Sequence, residues 1–174
     1  MPDVDRAARA LEEALDALGF RGEAEMDGTA GRVAALLAEF APGRAAAPVS
    51  RSPAGGAVDV IIAGVPFHAL CAHHLLPFFG EVTVAYRPDA WLAGLGAIPR
   101  LVEAHARRAT LQETLADGIA GALWDAVSPR AVVVRVRARQ MCVEMRGARS
   151  PADVTVFAHR GGDAPDERLL RGMT

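Results

Sequence analysis

The stretch CAHHLLPFFGEVTVAYRP, residues 71–88, sets the reading of the whole chain. Its second half alternates Val82, Val84 and Tyr86 against Glu81, Thr83 and Ala85. That period of two is the pattern of a strand with one face in a core. Its first four residues put Cys71, His73 and His74 almost side by side, in a chain with only two cysteines and five histidines. Working outward, AVDVIIAGVPF (57–67) reads as the preceding strand. Residues 97–107 and 110–126 read as two helices, the second with Leu111, Leu115, Ile119 and Leu123 on one side. RAVVVRVRARQMCVEM (130–145) reads as one long strand, and ADVTVFAH (152–159) as a last one with Val154 and Val156 facing alike. Two strands, two helices and two strands make an α+β plan: an antiparallel sheet with helices on one face.

The N-terminal part has a different period. Residues 3–18 read as a helix capped by Asp3 or Asp5, with Leu11, Leu15 and Leu18 on one stripe and Gly19 as its stop. Residues 29–41 read as a second helix, with Val33, Leu36, Leu37 and Phe40 along one face. APGRAAAPVSRSPAGG (41–56) reads as connecting chain, because proline, glycine and small residues dominate it. The expected organisation is an N-terminal helical segment over 1–45, a linker over 46–56 and a main domain over 57–174.

Composition excludes several classes. The chain has 174 residues, 51% of them hydrophobic, with 19 basic against 21 acidic side chains. That is a globular balance with no basic excess, so no nucleic-acid partner is expected. No apolar run approaches the ~20 residues of a membrane span, and the acidic, amphipathic first 20 residues do not resemble an export signal. The expected setting is the cytoplasm, without a membrane partner.

Thiolate and imidazole are favoured zinc ligands, so a Cys-x-His-His cluster is a natural metal nucleus. Cys71 and His74, three apart, can grip one ion from a turn, leaving His73 for proton transfer, a task suited to histidine near neutral pH. Cys142 is the only other cysteine and would be the third ligand, at the end of the long strand. Three protein ligands and one open position form the arrangement in which zinc activates water. On spacing alone, a buried apolar thiol with two ordinary polar histidines explains the cluster equally well.

CAHHLLPFFGEVTVAYRP, LQETLADGIAGAL (111–123) and MCVEMRGAR (141–149) occur in this order. Together they resemble the GTP cyclohydrolase I family, zinc enzymes that open pterin biosynthesis, over about residues 29–162. The resemblance implies the tunnelling fold: ββααββ subunits with added N-terminal helices, assembled into two stacked rings as a homodecamer with active sites between subunits. It implies zinc held by Cys71, His74 and Cys142, and proton transfer by His73. Zinc-bound water then attacks C8 of a guanine nucleotide, and formate leaves. Glu113, beside Gln112, matches the carboxylate that takes the N–H groups of the guanine edge. Arg32, Arg100 and Arg146 match the triphosphate contacts.

The departures from that family are chemical. Gln140 stands where the family usually has a histidine, and glutamine cannot shuttle a proton. Gly96 and Ala97 replace a serine used in the sugar rearrangement and a phosphate-binding lysine. Ala35 replaces a second such lysine, Ala72 a glutamate and His159 a serine. His68, where an aromatic is common, reads either as lining the site or as a strand-end surface residue. Each lost phosphate contact costs roughly 1.5–3 kcal/mol. The leading reading is therefore a zinc hydrolase of this family on a purine nucleotide, which either completes the family reaction or stops at the ring-opened or deformylated product. A second is a repurposed paralogue acting on a pterin, purine or deazapurine with fewer phosphates, with the glycosidic carbon as one target. A third is a non-catalytic subunit that joins rings of an active homologue.

Overall fold

The computed structural model describes residues 1–20, 23–41, 48–56 and 58–173. The chain divides into two compact units, residues 1–43 and 44–174.

The first unit is a helical pair. Helix α1 (Val4–Ala17) starts at Asp3, whose carboxylate accepts the Arg6 N–H at 2.9 Å, and ends before Gly19 at a φ of 85°. Asp3 is thus the cap and Asp5 sits inside the first turn. Leu11 and Leu15 are half-buried, but Leu18 falls past the helix end and is exposed. Helix α2 (Thr29–Glu39) buries Ala34, half-buries Val33 and Leu37, and leaves Leu36 outside.

The second unit opens with strand β1 (Arg51–Pro53), within the stretch read as a linker. It pairs with β4 (Trp91–Ala93), and Arg51 lies 4.7 Å over the Trp91 ring. Proline and glycine hide such a strand locally, because its pairing and cation–π contact are made across 40 residues of chain. Part of that stretch, residues 42–47, lies outside the described residues.

The main sheet is built from β2 (Val60–Cys71), β3 (Pro77–Arg87), β5 (Ala109–Thr110), β6 (Ala131–Gln140) and β7 (Asp153–Arg160). Its order is β5-β2-β3-β6-β7, antiparallel except for the short β2–β5 pair. Helices α3 (Ala97–Ala106) and α4 (Gln112–Val127) supply Ile98, Leu101, Val102, Leu115, Ile119 and Leu123 to the core they share with Val82, Val84 and Tyr86. Tyr86 buries its ring there, and its hydroxyl accepts the Ala93 N–H at 3.0 Å.

Two features depart from simple alternation. Ala85 and Thr83, on the other face of β3, are also fully buried. The reason for Ala85 is a C-terminal helix that periodicity did not reveal, α6 (Glu167–Gly172), which packs Leu169 against Ala85, Ala131 and Val133. Asp166 caps it and also receives Arg87, which is shared with Asp59. Strand β2 carries a bulge: Ile62 pairs with Val84 but Val65 with Val82, and Gly64 has a φ of 69°. One inserted residue flips parity. Val60 and Ile62 face the helices before it; Val65, Phe67, Ala69 and Cys71 face them after it. None of the described helices is long and apolar enough to cross a membrane.

Where α3 meets α4, a side chain at Gly118 would put its Cβ 2.7 Å from His105 Nδ1. His105 is packed tightly there, with Nε2 buried and unpaired among the described residues. Burial, with the nearby Arg108 charge adding to it, holds His105 below the ordinary histidine range. A depressed folded-state value stabilises the fold above the unfolded value of ~6.5 and is lost as pH falls through the folded one. The melting temperature is expected to drop as pH is lowered from 7 to 5, and His105→Gln to flatten that slope; thermal melts at fixed ionic strength check this.

Candidate metal centre

The site forms where three strand ends meet. Cys71 is the last residue of β2, and β2 leaves the sheet through a tight turn. Leu75 N–H donates to Cys71 O at 2.8 Å, and Cys71 N–H to Leu76 O at 2.8 Å. Leu75 takes a φ of 53°, a left-handed conformation costly for a non-glycine residue. From the neighbouring β5, Thr110 O accepts Ala72 N–H at 3.0 Å and pins the turn from outside. The Gly64 bulge sets which face Cys71 takes, because without the extra residue Cys71 would fall on the face opposite to that of Val60 and Ile62.

On the other side, β3 pairs with β6 so that Phe78 faces Gln140. The sequence reading ran β6 through residue 145 with Cys142 on it; the strand stops at Gln140 and Cys142 lies in a single helical turn, α5 (Met141–Glu144). An ion pair between Arg139 and Glu144 spans that turn. Extended chain would carry Cys142 past the edge; the turn folds its thiol back toward β2.

The result is a cluster in which the ligand atoms of Cys71, His74 and Cys142 all lie within 4.8 Å of one another. Cys71 Sγ and His74 Nδ1 are 3.8 Å apart. Zinc bond lengths of about 2.3 Å to sulfur and about 2.0–2.1 Å to nitrogen imply a tetrahedral S···N edge of about 3.6 Å, so the residues fit such an ion. Two soft sulfurs and an imidazole are also the donor set that prefers zinc over calcium or magnesium. Burial, then the adjacent Cys71, push the Cys142 thiol up. An ion binding here must displace that proton, so affinity falls with acidification.

Around the cluster the expected residues separate into groups. Arg146 Nη1 donates to His74 Nε2 at 2.6 Å. His73 is exposed, its ring edge-on to His74 with centroids 6.2 Å apart. Gln140 Oε1 is 3.9 Å from Cys142 Sγ, and Gln140 Nε2 donates to Gln112 Oε1 at 2.6 Å. Gln112 is only 3% exposed, and its Nε2 donates to Val136 O and Val154 O, each at 2.9 Å. Its amide is therefore spent on protein partners, which sequence reasoning missed; only the hydrogen-bond network reveals it. Glu113, next along the first turn of α4, is exposed.

Arg100 is exposed on α3, and a Cβ added at Gly96 would be 3.4 Å from its Nη1. Ala97 is buried in that helix, and Ala72 is exposed in the ligand turn. Arg32 and Ala35 belong to the first unit, where the Arg32 guanidinium donates to Thr29 Oγ1 at 2.8 Å. His68 stacks on Phe79, 5.9 Å between ring centroids, on the sheet face away from Cys71. His159 pairs with Val133 at the end of β6 remote from Gln140.

A ββααββ sheet whose strand ends converge thiolate and imidazole donors defines a tunnelling-fold protein with a candidate metal site. A solved structure titled archaeosine synthase QueF-Like in the apo form superposes with a TM-score of 0.51 at 22% identity, over 64% of this chain and 99% of that one. The chain belongs to the GTP cyclohydrolase I family, whose model matches residues 7–172. It is similar to GTP cyclohydrolase 1 of Streptococcus agalactiae serotype Ia, 34% identical over 98% of this chain and 95% of the relative. It is also similar to GTP cyclohydrolase 1 of Campylobacter lari, 51% identical over 64% of this chain and 60% of the relative.

Two substitutions test the cluster. Cys142→Ala is expected to lose stoichiometric zinc while keeping its far-ultraviolet circular dichroism; retained zinc overturns the ligand assignment. Gly64→Val forces a β-branched residue into left-handed backbone at about 1–2 kcal/mol. It is expected to lower both stability and metal occupancy, read by melting and by metal analysis of the folded fraction.

Proposed function

We propose that this protein is a zinc-dependent hydrolase that takes a purine nucleotide of the GTP type, opens the imidazole ring at C8 and releases formate. The observation that carries the reading is the convergence of Cys71, His74 and Cys142, with His73 exposed beside them. Zinc held by these three residues would supply a Lewis acid that makes water nucleophilic near neutral pH. His73 moves the proton through its exposed ring. Glu113, exposed in the first turn of α4, takes the N–H groups of the base edge.

Were His74 Nδ1 to hold the ion, Nε2 would carry the ring proton and would no longer accept from Arg146. The Arg146 guanidinium would then be released to a phosphate oxygen, with Arg100 as a further phosphate contact. The long outer edge of β2 and the free edge of β7 support a homo-oligomer assembled by sheet extension. The relatives' names, GTP cyclohydrolase 1, support GTP as the substrate.

Later steps are truncated in this reading. Gln140 offers an amide in place of a proton shuttle, Gly96 offers no hydroxyl, and Ala35 and Ala97 offer no charge. Those same absences favour the second reading, a repurposed paralogue on a pterin, purine or deazapurine with fewer phosphates. The deciding experiment incubates the zinc-loaded protein with GTP and follows formate and pterin separately. Formate without pterin is expected. Both products would mean that Gln140, Gly96 and Ala97 are tolerated. Neither product, with tight binding of a purine base or monophosphate, would establish the paralogue reading instead.

A further inference from the structure

The amide pair beside the cluster has only one self-consistent orientation. Gln112 Nε2 lies between two main-chain carbonyls, Val136 O and Val154 O, both at 2.9 Å. Carbonyls only accept, so the nitrogen must be on that side and Oε1 on the other. Oε1 also only accepts, so the group facing it at 2.6 Å must be the Gln140 Nε2. The Gln140 carbonyl is thereby turned the other way, toward Cys142 Sγ at 3.9 Å. Flipping either amide sets oxygen against oxygen at a buried contact, at the cost of an unmade hydrogen bond.

We propose that Gln112 is a positioning residue that locks the Gln140 amide so that its carbonyl oxygen faces the Cys71–His74–Cys142 cluster as a fixed hydrogen-bond acceptor. The proposal rests on the metal-dependent reading above. A protonated Cys142 can donate to that oxygen; a Cys142 thiolate bound to metal cannot, so the acceptor is left open. It then receives a hydroxyl or N–H of the bound substrate, or of the water that attacks it. A group at this position that only accepts orients its partner and delivers no proton. The lock also keeps the Gln140 N–H away from the Cys142 sulfur, where it would otherwise draw electron density from the thiolate. Orientation of the ligands by their outer partners commonly changes affinity or activity about 10–100-fold.

The test uses the full chain loaded with cobalt(II), whose thiolate-to-metal absorption band reports the Cys142 sulfur without any substrate. Gln112→Met keeps the length of the buried side chain but removes both amide contacts. It is expected to shift the band, as the freed Gln140 amide turns its N–H to sulfur. It is also expected to lower kcat for formate release from GTP about 10–100-fold with KM little changed. Gln140→Leu is expected to lower kcat by a similar factor, and Gln112→Met on top of it to add little and shift no band. If Gln112→Met does not fold, Gln140→Leu decides alone: undiminished kcat overturns the proposal.

A lowered melting temperature with band and kcat unchanged makes Gln112 purely structural and overturns the proposal. A raised KM with kcat unchanged makes Gln112 a direct substrate contact, which also overturns it. If the wild type binds cobalt but releases no formate, the reaction reading fails, and the band comparison still decides the amide lock. A wild type that binds no cobalt overturns the metal reading and the lock with it.

Discussion

The candidate site depends on the register of β3 between β2 and β6. Leu70 opposes Pro77 on one side and Phe78 opposes Gln140 on the other. That pairing brings the end of β2 beside the end of β6, although Cys71 and Cys142 are far apart in the chain. A one-residue slip on either side would turn the ligands' strands over. The register is held by burial: Val82, Val84 and Tyr86 are fully enclosed on the helix side, and Ala85 is enclosed by α6 on the other. A slip would expose these side chains, each worth about 1.5–3 kcal/mol of burial for the large ones.

Polar restraints then refine what the core sets coarsely. Thr110 O holds the ligand turn, and the Arg139–Glu144 ion pair spans the turn that carries Cys142. Gln112 ties α4 to the carbonyls of β6 and β7. Its burial is tolerable because every polar atom of its amide is satisfied. Its three hydrogen bonds make it part of the frame around the cluster. Gln140 occupies a position that faces the same core side as Val136 and Ala138, and ends at the cluster.

Residues that match the family pattern and residues that depart from it both occur at the candidate site. Candidate metal donors and the exposed His73 lie in the ligand turn and just after β6, and Glu113 is exposed in the first turn of α4. Of the altered positions, Gln140 reaches the cluster and Ala72 lies exposed in the ligand turn, whereas Ala97 is inside a helix and His159 sits at the far end of β7.

The sequence by itself determined the elements with strong periods. The alternation of residues 81–86, the leucine stripe of α4 and the start of α1 at Asp3 or Asp5 each follow from local sterics and solvation, which a short window contains. It also placed Cys71, His73 and His74 within four consecutive residues, although their spacing alone fits a metal nucleus and ordinary polar packing equally well. Tertiary structure decided the rest. The Gly64 bulge aims Cys71 at the helix side, and the helical turn after Gln140 returns Cys142 to it. Strand β1 and helix α6 are too short to show a period, and exist through partners distant in the chain. The roles of Gln112 and His68 also lay beyond the sequence. Burial between two carbonyls and a face of the sheet are properties of packed neighbours, and side-chain identity alone does not encode them.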